Sequence, residues 1–343
     1  MNRLFFFTFF LFCFLFTTAS QALIHDFEID GIYYEFIDDT SVKVTFSPDC
    51  YCGNVTIPSK VSYKSVDYSV ISIGITAFEG CEELTSVTIP NSVTSIESGA
   101  FEKSGLKSII IPNSVTRITE YAFLECTGLT SITIPNSVKS IGWASFWGCR
   151  GLQSVIISDS ITTIGGYTFS GCSSLKSIII PNAVTFIGDY AFGECNNLES
   201  IIIPNSVTSI GANAFDGCRS LRSVVLSNSV ASIRNLSFNG CSSLESVIIP
   251  NSVTSIGANA FYGCSNLKSV TISNSIDYIG SIAFGQCSGL TSVICLASKP
   301  PHIDYSVFAG VKLDYCILSV PAGAIKRYKA AEGWRDFLKI KDR

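Results

Sequence analysis

Histidine is almost missing from this chain: there are two in 343 residues, His25 and His302. With so few, acid–base relays and histidine-based metal sites have little raw material. His25 lies near the N-terminus and His302 follows Pro300-Pro301, and both read as surface or cap residues. Charge is scarce too, at 15% of residues with a net value of −4. No run of Lys or Arg occurs, so nothing would track a nucleic-acid backbone or hold an anionic membrane. There is no phosphate-cradling G-x-x-x-x-G-K loop and no C-x-x-C pair. A serine or cysteine nucleophile needs a base beside it, and the repeats offer none. The adjacent carboxylates Asp38-Asp39 and Glu82-Glu83 fall at turn-like places and read as solvated charge. These absences predict a protein that is not an enzyme and holds no cofactor and no metal. Disorder is excluded from the other side, since 47% of the residues are apolar.

Long hydrophobic runs are missing after the first residues. Arg3 is the sole charge before an apolar run from Leu4 to Phe16, and the small residues Thr17 to Ala22 follow. That order is the form of a secretory signal, with cleavage expected after Ala22. The run is short for a membrane span of about 20 residues. A lipid-anchored signal would need a small residue before its cysteine, but Phe12 precedes Cys13. The expected localisation is secreted or cell-surface, without a transmembrane segment. No sorting tail is visible, which leaves release as one outcome.

What the chain has in abundance is repetition. "IPNSVTSIGANAF" occurs at Ile203–Phe215 and again at Ile249–Phe261, with a looser copy at Leu226–Phe238 between them. Phe recurs at 78, 101, 123, 146, 169, 192, 215, 238, 261 and 284, and Leu keeps step from 84 to 290. Each spacing is 23 residues except for one of 22 in each series. The missing residue falls where "EKSG" stands between Phe101 and Leu106. Ten units at one period predict a solenoid, in which each unit packs chiefly on its neighbours.

Within a unit, alternation predicts a short strand. In Leu198–Ile203, residues Leu198, Ile201 and Ile203 face inward while Ser200 and Ile202 face out. Pro204-Asn205 turns the chain, Val207 and Ile210 face inward on a second extended piece, and Gly211 permits a corner. Ala214-Phe215 begins a tight helical turn that buries the ring. Stacked units lay like on like. The predicted fold class is therefore a β-rich solenoid, a parallel β stack of about ten 23-residue units with short helical turns and a cap at each end. Residues 1–22 are the expected signal peptide, 23–69 an N-terminal β cap, 70–294 the repeats, and 295–343 a C-terminal cap.

The signature "IPNSVTSIGxxAFxGC" resembles the BspA-type leucine-rich repeat, a 23-residue variant found in bacterial surface proteins. The resemblance covers Val70 to about Ile294. "FEIDGIYYEF" and "VTIPSKV" are similar to that family's N-terminal cap, and "LSVPAGAIKRYKAAEGWRDF" to its C-terminal strand and helix. The resemblance implies an extracellular recognition or adhesion protein without catalytic residues. Its partners would be host or bacterial surface proteins or glycans, and no nucleic acid. The alternative is a structural envelope or spacer solenoid with no discrete ligand.

Nine of the 14 cysteines occupy one repeat position, from Cys81 and Cys126 to Cys287, with Ser104 in the short unit. Rungs about 4.8 Å apart are too widely spaced for a ladder of bridges, whose Cβ atoms sit about 3.8 Å apart. Buried, unpaired thiols are expected. Cys50 and Cys52 are too close in sequence to bridge each other easily. Cys295 and Cys316 could meet in the C-terminal cap, and the redox state of these four stays open at this stage.

Two sets of variable positions could meet a partner. Aromatic residues crowd one corner of four consecutive units: Tyr121, Trp143, Trp147, Tyr167 and Tyr190. Tyr and Trp on a surface are common binding anchors, and local corner packing is the other reading. The outward strand column carries a stripe that includes Ile156, Ile179, Ile202, Val225 and Ile248. It is either an interaction surface or the strand preference of β-branched residues. One column over, Lys176, Glu199, Arg222, Glu245 and Lys268 alternate in sign, which favours correct register between rungs.

Overall fold

The alternation becomes a parallel ladder in the computed structural model, which describes residues 25–304 and 306–343. The expected signal peptide, residues 1–22, lies outside the described residues. Register follows the repeat directly: Ser131 pairs with Ser154, Ser200 with Ser223, and Val247 with Val270. A second ladder runs beside it through the shorter extended pieces, pairing Ile118 with Ile141 and Ile187 with Ile210. Leu198, Ile201, Ile203, Val207 and Ile210 are all buried, as the alternation requires. One rung departs from the rule: Ser177–Ile179 forms no regular strand, although Ile178 and Ile180 still point into the core.

The phenylalanines form the spine of the interior. Their rings stack nearly parallel, from Phe78–Phe101 at 5.0 Å to Phe169–Phe192 at 5.6 Å. These separations are those of offset aromatic pairs. Tyr51 joins the stack below Phe78 at 4.6 Å and Phe308 joins it above Phe284 at 5.7 Å. The solenoid thus runs to about twelve turns rather than ten, because each cap adds a ring to the repeat's own series.

The corner around each Phe is a chain of single turns, tied to the next rung. The Phe192 amide donates to the Ala214 carbonyl at 2.8 Å, and the Cys218 amide closes a three-residue turn onto Phe215 at 3.3 Å. The residue two places before each Phe takes a left-handed conformation, for example Tyr167 at φ 57° and Asn213 at φ 58°. That rotation points its N–H at the next rung: the Tyr167 amide reaches the Asp189 carbonyl at 2.9 Å. In the short unit, Gly105 packs so tightly that a Cβ there would sit 1.8 Å from the Glu82 carbonyl oxygen. Only glycine lets the chain omit a residue at that point.

Both ends are closed by different devices. At the N-terminus, Phe27–Ile29 and Ile32–Phe36 form an antiparallel hairpin that pairs with Ser41–Val44 and so covers the edge of the second ladder. At the C-terminus, Ile317–Val320 and Lys339–Asp342 extend the first ladder in parallel. Between them the helix Ile325–Ala330 buries Tyr328, and Trp334 lies fully buried with its indole N–H on the Pro301 carbonyl at 2.9 Å. Among the described residues no helix is long and apolar enough to cross a membrane.

Candidate functional site

The interior holds the thiols but gives them nothing to react with. All nine repeat cysteines are free and buried. From Cys126 to Cys287 each donates from Sγ to the carbonyl of the preceding rung's Phe, at 2.9 to 3.3 Å. They are thus more than small hydrophobes: each is also a donor to a buried carbonyl. Burial pushes the thiols of Cys126 and Cys195 up to about 12 and those of Cys149, Cys172 and Cys218 well up. A thiol held protonated is a poor nucleophile and a poor ligand. Among the described residues no three His, Cys, Asp or Glu side chains gather to hold a metal.

Cys295 and Cys316 do not meet. Cys295 closes the strand Ser292–Cys295, whereas Cys316 precedes the strand that starts at Ile317, which pairs with Ser292. They therefore sit about four residues out of register, about 13 Å along the strand, beyond a disulfide's reach. The Cys295 sulfur instead accepts from the Tyr328 hydroxyl at 3.0 Å. At the other end, Cys50 is half-buried, Cys52 exposed, and both are free.

The surface is where the repeats differ from one another. On the strand face Ile110 and Ile179 are 85% and 84% exposed, and Ile156, Ile202, Val225 and Ile248 are also exposed. Beside them runs the serine column, exposed at Ser108, Ser131, Ser154, Ser200, Ser223 and Ser246. Over the N-terminal rungs this face encloses a groove of about 1120 Å³. Its floor carries Ser86, Ser108, Ser131, Thr88, Ile110, Thr133 and Ile156. Its rim is Asn91, Asn113, Asn136 and Asp159, from the turn after the strand. As turn formers these asparagines show no binding role in any single unit. The signal that could have raised them is their strict column, which sets amide beside amide along the stack.

The aromatic corner is a ladder of rings. Tyr121 meets Trp143 edge-on at 5.3 Å, Trp143 leans on Tyr167 at 5.0 Å, and Tyr167 stacks on Tyr190 at 4.7 Å. Trp147 sits four residues along the same rung as Trp143 and is partly exposed. Trp143 is 41% exposed, while the three tyrosines are half-buried. Burial, and then the neighbouring Tyr190 and Asp189, push the Tyr167 phenol up to about 12. Tyr121, Tyr167 and Tyr190 all occupy the left-handed column, at φ 59°, 57° and 54°. For a bulky residue that conformation is strained, and Asn or Gly would sit there more easily.

The alternating charges are exposed and unspent. Lys176, Glu199, Arg222, Glu245 and Lys268 all stand in solvent. Among the described residues the ion pairs within 4.0 Å are Lys43–Glu35 and Lys103–Glu102, neither in this column.

Compared with known proteins, the chain matches the BspA type leucine rich repeat region, in six copies over residues 49–173, 94–222 and 208–328. It is similar to a leucine-rich repeat protein from Bacteroides ovatus, at 28% identity and TM-score 0.50, with 93% of this chain and 100% of that one covered. Weaker likenesses are a leucine-rich cell surface protein from Faecalibacterium prausnitzii and the pneumococcal vaccine antigen PcpA. The first is 26% identical, covers 81% and 96% of the two chains and has a TM-score of 0.40. The second is 19% identical, covers 92% and 98%, and has a TM-score of 0.46. None of the curated proteins compared with the chain matches it.

Proposed function

The chain belongs to the BspA-type leucine-rich repeat family, and we propose that it is an exported, non-catalytic recognition protein whose solenoid binds a protein or glycan partner. The observation that carries this reading is the groove on the strand face. It places hydroxyls, amides and exposed aliphatic side chains on one regular lattice, repeated rung by rung. An elongated partner with its own repeat, a glycan chain or an extended peptide, can use such a lattice without any catalytic group. Export is supported by the apolar run Leu4–Phe16 and the small residues after it.

The aromatic corner is a second candidate surface on the same protein, built from Tyr121, Trp143, Trp147, Tyr167 and Tyr190. Its support is the unbroken run of ring contacts from Tyr121 through Trp143 and Tyr167 to Tyr190.

The test is a binding screen of the purified chain against extracellular-matrix proteins and glycans, repeated with two variants. In the groove variant, I110K/T133K, two floor residues become cations. At the corner, W143A removes the most exposed ring of the ladder. Loss of at least about tenfold in affinity in one variant assigns the surface. If nothing in the screen binds, the chain is a spacer or envelope solenoid.

A further inference from the structure

We propose that the strand face joins two copies of this chain into an antiparallel dimer. The two-fold axis would lie parallel to the strands and pass midway between the Glu199 and Arg222 rungs. The first observation is the unspent charge column. From Lys176 to Lys268 the sign alternates on five successive rungs, each side chain is exposed, and none closes an ion pair among the described residues. Neighbours on one face that could pair with each other do not. The second observation is the apolar stripe that borders this column. Ile179, Ile202, Val225 and Ile248 stand exposed on the same rungs as the first four charges.

Symmetry then decides the arrangement. When two copies meet face to face about an axis along the strands, the charge column covers the charge column and the aliphatic stripe covers the stripe. Rung order is reversed in the second copy, while the spacing of about 4.8 Å is the same in both. An axis running through a rung would set that rung's charge against itself. An axis between the Glu199 and Arg222 rungs sets Glu199 against the partner's Arg222, and Lys176 against the partner's Glu245. By symmetry each contact occurs twice. On the stripe, Ile202 then meets the partner's Val225, and Ile179 meets the partner's Ile248. An axis along the solenoid would instead lay each charge over the asparagine turn, leaving the alternation unused. The contact is isologous, as closed dimers require. The four central rungs do not line the groove, whose rungs from Ser86 to Asp159 face the partner's rungs from the partner's Lys268 onward.

Sedimentation of the purified chain over a concentration series in low salt tests the proposal, alongside E199K, R222E and the double variant E199K/R222E. The native chain should dimerise. Each single variant sets like charges together at both symmetric Glu199–Arg222 contacts and should weaken the dimer at least about tenfold. The double variant exchanges the signs and should recover the native dissociation constant to within about threefold. Both residues changed here are exposed, and circular dichroism of each variant confirms that the fold is kept. A native chain that stays monomeric at the highest concentration reached overturns the proposal. So does a dimer that ignores E199K, or one that the double variant fails to restore.

Discussion

Raising the pH should unfold this protein through its thiols. Seven ladder cysteines are held above the ordinary thiol value of 9.0: Cys126, Cys149, Cys172, Cys195, Cys218 and Cys241 chiefly by burial, and Cys264 by its hydrogen bond with Cys287 and then by burial. In the folded chain they keep their protons well past that value; in the unfolded chain they lose them near it. Stability is therefore complete below about pH 9 and falls as pH rises toward the folded-state values. One pH unit above the unfolded value, each thiol favours unfolding by about 1.4 kcal/mol. Seven together reach about 10 kcal/mol, as large as the whole stability of an ordinary domain. Because each rung leans mainly on its neighbours, exposing a few rungs already releases several protons. Circular dichroism and thiolate absorbance, followed together, should show the β signal and the thiols changing in one cooperative step near about pH 10. Replacing Cys195, Cys218 and Cys241 with Ser should lower the number of protons released on unfolding by about three. A β signal that survives to about pH 11, or thiolates that appear near pH 9 in the folded chain, would refute the reasoning.

Three further outcomes are expected. Phe192→Ala removes a buried ring stacked at 5.6 and 5.3 Å on its neighbours and should cost about 3–5 kcal/mol in urea unfolding; a loss under about 1 kcal/mol would mean the spine is not close-packed. A thiol reagent should label Cys52 quickly in the native chain and the ladder only after denaturation without reductant, and a disulfide mapped between two ladder cysteines would contradict this. Trp143→Ala and Tyr167→Asn each lose two ring contacts of about 0.5–1.5 kcal/mol apiece. Only Tyr167→Asn also relieves a left-handed backbone, by about 1 kcal/mol, so thermal unfolding should show it as the milder change.

The inward set was open to reading because it obeys one rule on every rung. A buried Phe or Leu recurs at one position because it packs on the same residue above and below, so period and burial are a single fact seen twice. The caps were less open. Tyr51 and Phe308 continue the ring stack without the surrounding signature, and the hairpin Phe27–Phe36 is antiparallel where all the repeats are parallel. The left-handed column was hidden by its occupants. Asn213 and Asn259 suit such a conformation, but Tyr121, Tyr167, Leu236 and Ile282 give no hint of it. The groove was hidden for another reason: it is a property of how rungs follow one another, and no single unit contains it.

On the exposed columns folding alone does not fix the residue. On the strand face, Thr88, Thr133 and Thr271 hold the same position as Ile110 and Ile179, and threonine fits a strand as a β-branched residue without exposing a large aliphatic surface. Folding alone therefore does not ask for isoleucine there. At the corner, strain by itself does not single out the tyrosines, since Leu236 and Ile282 bear the same backbone. What separates them is contact: Tyr121, Tyr167 and Tyr190 reach each other through Trp143 as one run of rings, whereas Asn213 breaks the run at the next rung. A feature that is locally unfavourable, continuous over four rungs and then stops is bounded in the way a site is bounded. The charge column has the same character. It alternates over five rungs beside the longest unbroken stretch of the aliphatic stripe, and its ions close no ion pair among the described residues. In a solenoid whose core is set by repetition, these departures from repetition are the part of the sequence left free to specify a partner.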